Sequence, residues 1–287
     1  MNLTDEKIKK LELTANKIRQ SIILMLEEAG SGHPAGSLGI TDVMTLLYFH
    51  VLKHEARNPN WKSRDRLILS HGHVCPALYS AMAHVGYFPV EELKTLRKFG
   101  SRLQGHPHRE FFPMAETSSG PLGEGLSQAI GMALADRIDH GIHIDKYFYC
   151  LVSDGELQEG QNWEALMLGG KEKLGNLIVI VDRNNIQTDG STEDVMPLNS
   201  LIDKFEAFNW HVQAVDGHNF EMINDAIGKA KSVADKSSII IAHTIPGKGV
   251  KDFEFDYHWH SVAPNKEQAK KAIKELKAEE LKIKNEE

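Results

Sequence analysis

Two short polar clusters carry the clearest chemical suggestion in this chain. Asp154-Gly155 follows the apolar run Tyr147–Val152, and Asn184-Asn185 follows the apolar run Leu177–Val181, with a helical pattern from about Gly160 to Leu174 between them. A strand–helix–strand order implies parallel strands joined by a right-handed crossover. That crossover brings the clusters to neighbouring strand ends, although they stand about thirty residues apart, and open α/β sheets bind ligands just beyond those ends. One carboxylate, one amide oxygen and a nearby backbone carbonyl make a hard-oxygen set. Such a set suits Mg2+, with Ca2+ or Mn2+ as substitutes, when phosphate oxygens and water fill the remaining positions. Gly155 lets backbone approach a phosphate with no Cβ in the way, and the N–H groups opening the next helix point at an anion. Spacing alone reads equally well as two turns built from turn-favouring residues.

Histidine is the compositional outlier, with fifteen copies. Imidazoles titrate near neutrality and suit proton traffic on hydroxyls. His50, His54, His84, His140, His143 and His211 read as surface or satisfied core residues, and His108 and His218 as ordinary loop residues. Others sit in Gly- or Pro-punctuated turns: His33 in Ser31-Gly32-His33-Pro34, His71 and His73 in Ser70-His71-Gly72-His73, and His106 in Gly105-His106-Pro107. For His33, His73 and His106 the plain alternative is a turn histidine capping a helix. His260 stands in Trp259-His260-Ser261-Val262-Ala263-Pro264, with His258 two residues earlier as a competitor for the same place.

The elements that must position these groups are partly legible. Ile8, Leu11, Ala15, Ile18, Ile22 and Met25 recur at a helical period over residues 5–29, and Gly30 stops that helix. The loop from Ser31 to Gly36 follows, then a second helix opened by Thr41. Leu67–Ser70 reads as a buried strand running into His71, and a helix follows over Pro76–Val85. Residues 100–125 are rich in Gly, Pro and Ser and lack periodicity, as a functional loop would. Further strands are expected at His211–Val215 and Ser238–Thr244. From Asn265 to about 284 an Asn-x-x-Gln start opens a charged amphipathic helix with a solvated face. The expectation is one α/β domain over 1–287, a mostly parallel sheet flanked by helices on both faces.

Bulk properties narrow the function classes. The chain has 287 residues, 41% of them hydrophobic, enough for a sizeable core. A net charge of −7 with no basic arm argues against nucleic acid. No apolar run approaches the ~18–20 residues of a membrane span, and the first ten residues lack a signal core. The two cysteines, Cys75 and Cys150, have neither framework nor metal spacing, which points to a reducing, cytoplasmic setting.

The stretch Ser153–Gly190 closely resembles the thiamine-diphosphate signature of transketolases, including Leu157-Gln158-Glu159-Gly160, Trp163-Glu164-Ala165 and Lys173-Leu174-Gly175-Asn176-Leu177. The turns around His33, His73, His106 and His260 also resemble that family, in the same order, as does Gly120-Pro121-Leu122-Gly123-Glu124-Gly125. The resemblance runs over residues 10–265. It departs at Ser153, where the family usually has Gly, and at His71, where relatives often carry Asn.

The resemblance implies a thiamine-diphosphate-binding fold and a set of roles. Asp154, Asn184 and the carbonyl of Ile186 would ligate Mg2+. Gly120, Pro121, Leu122, Gly155, Glu156, Asn184 and His73 would hold the cofactor. His33, His106 and His260 would contact the donor sugar and shuttle protons, with His73 near the reacting centre. Glu159 and Glu164 would lie at a subunit interface and communicate with a glutamate of the opposite subunit. Transketolases pass a two-carbon ketol unit from a ketose to an aldose, often as sugar phosphates of the pentose phosphate set. The cofactor supplies the electron sink, so placement and proton traffic fall to the protein. The pyrimidine-binding half and its activating glutamate have no counterpart here. The resemblance is therefore to the N-terminal subunit of a split transketolase that works with a C-terminal subunit, as α2β2. Alternatives are half of a deoxyxylulose-phosphate-synthase-like or 2-oxoacid-dehydrogenase-like enzyme, or a non-catalytic homologue.

Overall fold

The computed structural model describes residues 3–285. In chain order the elements begin with α1 (Asp5–Ala29), α2 (Pro34–Gly39), α3 (Thr41–Leu46), β1 (Arg66–Leu69), α4 (Cys75–Val85), α5 (Glu124–His140), β2 (Phe148–Ser153) and α6 (Gly160–Glu172). They continue with β3 (Leu177–Arg183), β4 (Ile186–Gln187), β5 (Gly190–Ser191), α7 (Thr192–Val195), α8 (Leu201–Ala207), β6 (His211–Asp216), α9 (Phe220–Ser232), β7 (Ser238–His243) and α10 (Lys266–Asn285). Five strands form one sheet in the order β1-β2-β3-β7-β6, and every neighbouring pair is parallel. β4 and β5 form a small antiparallel hairpin.

Parallel strands are buried on both faces, and the side chains divide accordingly. Tyr149, Leu151, Ile178, Ile180 and Ile240 pack into one core with α1, α3, α4 and α9. Their alternates Cys150, Val152, Val179, Val181, Ile239 and Ile241 pack into a second core with α5, α6 and α8. The near-continuous Val, Ile and Leu of β2, β3 and β7 follow from this two-sided burial. The sheet puts the carboxyl ends of β1, β2, β3 and β7 side by side, because parallel strands all end on the same edge.

Two expectations change. The segment after Gly32 is not a plain loop: α2 begins at Pro34, whose fixed φ and missing N–H suit the first helical turn. The helix opened by Thr41 is α3 plus a π-helical turn over Leu47–Val51. Nor was α5 anticipated, since it opens inside the Gly-rich stretch. Gly123 enters it with φ +87°, and Gly125 lies so close to β1 that an added Cβ would come within 2.5 Å of the Ser70 Cβ. The Asn265 start of α10 is a reciprocal cap: Asn265 Oδ1 accepts from the Gln268 N–H at 3.0 Å, and Gln268 Oε1 accepts from the Asn265 N–H at 2.9 Å. Residues 1, 2, 286 and 287 of the expected domain lie outside the described residues.

Candidate active site

The floor of the site is the carboxyl edge of β2 and β3. Asp154 is fully buried, one residue beyond β2. Its Oδ1 accepts from the Gly155 N–H at 2.8 Å, and its Oδ2 accepts from the Asn185 N–H at 2.7 Å and the Arg183 guanidinium at 3.2 Å. Burial lifts the carboxyl to about 6, although Arg183 and the two amides oppose it. Asn184 points its amide nitrogen at Asp182 Oδ2, 2.9 Å away, which leaves Oδ1 to accept from the Ile186 N–H at 3.1 Å. Asn185 takes a left-handed backbone (φ +62°), which Asn tolerates better than most residues and which turns the chain toward β4.

Asp154, Asn184 and the Ile186 carbonyl are thus gathered at one corner with lone pairs to spare. Among the described residues no three His, Cys, Asp or Glu side chains cluster as a metal site. A cation here would rest on one carboxylate, one amide oxygen and one carbonyl, and hard-oxygen chemistry of that kind fits Mg2+ whose other ligands are phosphate oxygens and water. A Cβ on Gly155 would sit 3.3 Å from the Gln187 Cβ and 3.9 Å from the Ile186 oxygen, above that carbonyl. The missing side chain keeps this corner open to an anion.

Glu156 plays a different part from a direct cofactor contact through its side chain. Its carboxylate is completely buried and accepts from the Ser70 hydroxyl at 2.5 Å, the Gly123 N–H at 2.6 Å and the Ser153 N–H at 3.3 Å. It braces the end of β1, the Gly-rich entry to α5 and the end of β2 against one another. Burial raises it to about 7 against those three donors.

Above this floor stand four histidines from four separate segments. The ring of His33 lies 5.0 Å from that of His73, 6.2 Å from His106 and 5.6 Å from His260, and His73 lies 5.3 Å from His260. Burial holds all four below the ordinary imidazole value, His33 at about 3, with the neighbouring rings and the Arg97 charge adding to the effect there. They are therefore neutral near pH 7, able to accept a proton as well as donate one. Nδ1 of His33 and Nδ1 of His260 are buried with no hydrogen-bond partner among the described residues. Unpartnered buried nitrogens cost free energy, and the residues that carry them line an open cavity of about 330 Å3. The cavity is walled by the histidines, Gly120, Leu122, Gly155, Glu156, Glu159, Asn184 and Ile186. A polar ligand in it would meet the rings that wall it.

His260 enters the cluster and His258 does not: His258 stacks on Tyr257 and bonds Asp256 at the exposed surface. Pro121 is exposed and Gly120 takes φ +152° beneath the His106 ring. Glu159 is exposed at the cavity rim, and Glu164 is exposed on α6 beside the exposed Met167 and Leu168. His71 is buried, with Nδ1 donating to the Leu151 carbonyl at 3.0 Å, and Nε2 has no hydrogen bond among the described residues but lies 4.0 Å from Asp182 Oδ2. Gln158, Gln187 and Thr188 also line the cavity, and sequence reasoning assigned none of them a role. Polar residues in a short turn gave no signal of their own. His218 is a correction: it is no ordinary loop residue, since its ring joins Asp42 Oδ2 and the Ile245 N–H inside the protein.

Similar proteins bear on this arrangement. Over 269 residues the chain is 42% identical to the 6-deoxy-6-sulfo-D-fructose transketolase subunit of Clostridium sp. (strain MSTE9), covering 94% of this chain and 97% of that one. It is 38% identical over 269 residues to an apulose-4-phosphate transketolase subunit of Phocaeicola vulgatus, covering 94% of each. The crystal structure of transketolase from Campylobacter jejuni superposes with a TM-score of 0.87 at 34% identity, covering 99% of this chain and 46% of that one. The chain thus spans nearly all of the two subunits and under half of that transketolase. The family model for the transketolase thiamine diphosphate binding domain matches residues 11–284, and the chain belongs to the transketolase family.

Proposed function

We propose that this chain is the diphosphate-binding subunit of a two-chain transketolase. The observation that carries the reading is the cavity in which neutral histidines with unpartnered nitrogens stand over a hard-oxygen corner at the strand ends. In this reading Asp154, Asn184 and the Ile186 carbonyl hold Mg2+. Gly120, Pro121, Leu122, Gly155, the Glu156 backbone and His73 bound the cofactor's diphosphate and thiazolium. Thiamine diphosphate supplies the nucleophilic carbon and the electron sink that carbon–carbon cleavage requires. This chain's residues bind and orient: His33, His106 and His260 accept and return protons at the donor's hydroxyls. Glu159 and Glu164 face the partner subunit, which provides the activating glutamate in an α2β2 assembly.

The donor is a ketose and the acceptor an aldose. Two relatives of matching length are named for 6-deoxy-6-sulfo-D-fructose and apulose 4-phosphate. That favours, as a second reading of the substrate, a specialised ketose over xylulose 5-phosphate. The test is a ketol-transfer assay on this chain alone and mixed with the product of the adjacent reading frame, with thiamine diphosphate and Mg2+. The donors are xylulose 5-phosphate, the sulfonated ketose and apulose 4-phosphate. Transfer without CO2 release, only in the mixture, is the expected result. Transfer by the lone chain would remove the two-chain reading, and CO2 release would move the chain to the decarboxylating relatives.

A further inference from the structure

We infer that His218 is a positioning residue, which, through its bond to the Ile245 N–H, holds two of the site histidines, His33 and His260, in register. The ring occupies a defined tautomer. Nε2 accepts from the Ile245 N–H at 2.8 Å, so it carries no proton, and Nδ1 must donate to Asp42 Oδ2, 2.6 Å away. Asp42 is itself fixed. Burial would raise its carboxyl, but the Arg19 charge and the bonds from His218 and Arg19 outweigh burial and bring it down to about 2. Arg19 reaches the same oxygen at 2.6 Å and the Leu38 carbonyl at 3.2 Å. A helix-borne ion pair thereby aims one ring nitrogen at one backbone amide.

That amide begins the segment that touches chain neighbours of both histidines, Ala35 and Trp259. An added Cβ on Gly39, in α2, would come within 3.0 Å of the Ile245 carbonyl, so the two backbones are already in close approach. Two residues on, the Gly247 N–H donates to the Ala35 carbonyl at 2.9 Å, inside the helix that starts directly after His33. The Phe255 N–H then returns to the Pro246 carbonyl at 3.2 Å. The buried Phe253 ring stacks on Trp259 at 3.8 Å, and His260 is the next residue. From His218 the connection to both rings runs through backbone hydrogen bonds and one aromatic stack.

Two substitutions divide the ring's two bonds. In His218→Gln the side-chain oxygen falls near the position of Nε2, so the acceptor for Ile245 survives and the bond to Asp42 is lost. In His218→Asn the amide falls near Nδ1, so the bond to Asp42 survives and the acceptor for Ile245 is lost. The kinetic half of the test rests on the transketolase reading and uses the two-chain holoenzyme. Expected is a donor KM raised about five- to tenfold in His218→Asn, rescued to within about twofold in His218→Gln, with thiamine diphosphate affinity within about twofold in both. The second half needs no turnover: nitrogen-15 histidine spectra of the folded chain should show shifted His33 and His260 ring signals in His218→Asn and near-native ones in His218→Gln. A role confined to neutralising Asp42 gives the opposite order in both halves, and that order, or equal effects of the two variants, overturns the proposal. If no donor is transferred, the spectra still decide this inference, so its failure stays separate from failure of the transketolase reading.

Discussion

Asn184 and Ile186 of the hard-oxygen corner line the same cavity as the histidine cluster, with Asp154 buried, yet corner and cluster are built in opposite ways. At the corner, both Asp154 oxygens, the Asn184 amide and the Glu156 carboxylate already have protein partners. In the cluster, buried ring nitrogens of His33 and His260 have none among the described residues. The corner is pre-organised, so a cation and a diphosphate would meet groups already held in place with little reorganisation. The cluster holds neutral, partly buried imidazoles, where a sugar hydroxyl would gain more from each hydrogen bond than in bulk water. In the proposed reading, one region holds a group throughout and the other takes and releases one.

The largest effect that would break this comparison comes from the corner. Asp154→Ala removes the carboxylate proposed to hold the cation, and thiamine diphosphate affinity measured by calorimetry with Mg2+ should fall at least about a hundredfold. Undiminished affinity would place the cation elsewhere. In the cluster, His33→Ala and His106→Ala should each lower kcat/KM of the two-chain enzyme by about 10²–10³ while leaving cofactor affinity unchanged. A parallel loss of cofactor affinity would erase the distinction between the regions.

Glu156→Gln tests the brace with a smaller change. One of three converging donors loses its acceptor, which costs about 1–3 kcal/mol and should lower the melting temperature by several degrees. A variant as stable as the native chain would mean that the loops hold without it. A further test is on pH. The His33 ring sits at about 3 in the fold against 6.5 in an open chain, so the unfolded state takes up its proton first. Its contribution is complete above pH 6.5 and erodes as pH falls toward 3. His33→Asn should therefore flatten the acid-side loss of stability, followed by denaturant titration between pH 7 and 4. An unchanged slope would show the ring to be freely protonated in the fold.

The two regions also differ in how far the sequence disclosed them. The corner is local: a strand, a helix and a second strand with Asp-Gly and Asn-Asn at their ends lie within forty residues or so, and the family resemblance of that stretch decided between a ligand corner and two plain turns. The strands of the sheet, α1, α4 and α6 were legible for the same reason, since Val, Ile and Leu runs and helical periods report burial directly. α5 was hidden because the glycines at 123 and 125 answer to close packing rather than to helical propensity. The Glu156 brace had no local signal either. Its donors Ser70 and Gly123 lie 86 and 33 residues away.

By itself the sequence determined the fold class, the metal-ligand candidates and the identity of the histidine-bearing turns, because each is encoded in residue types close along the chain. Only the tertiary structure decided that His260 rather than His258 joins His33, His73 and His106, and that His218 bridges Asp42 to Ile245. Those facts depend on which segments the two cores press together, and burial, by desolvating the rings, makes them neutral partners for a ligand. Spacing along a chain cannot report a contact made across 176 residues, as between His218 and Asp42.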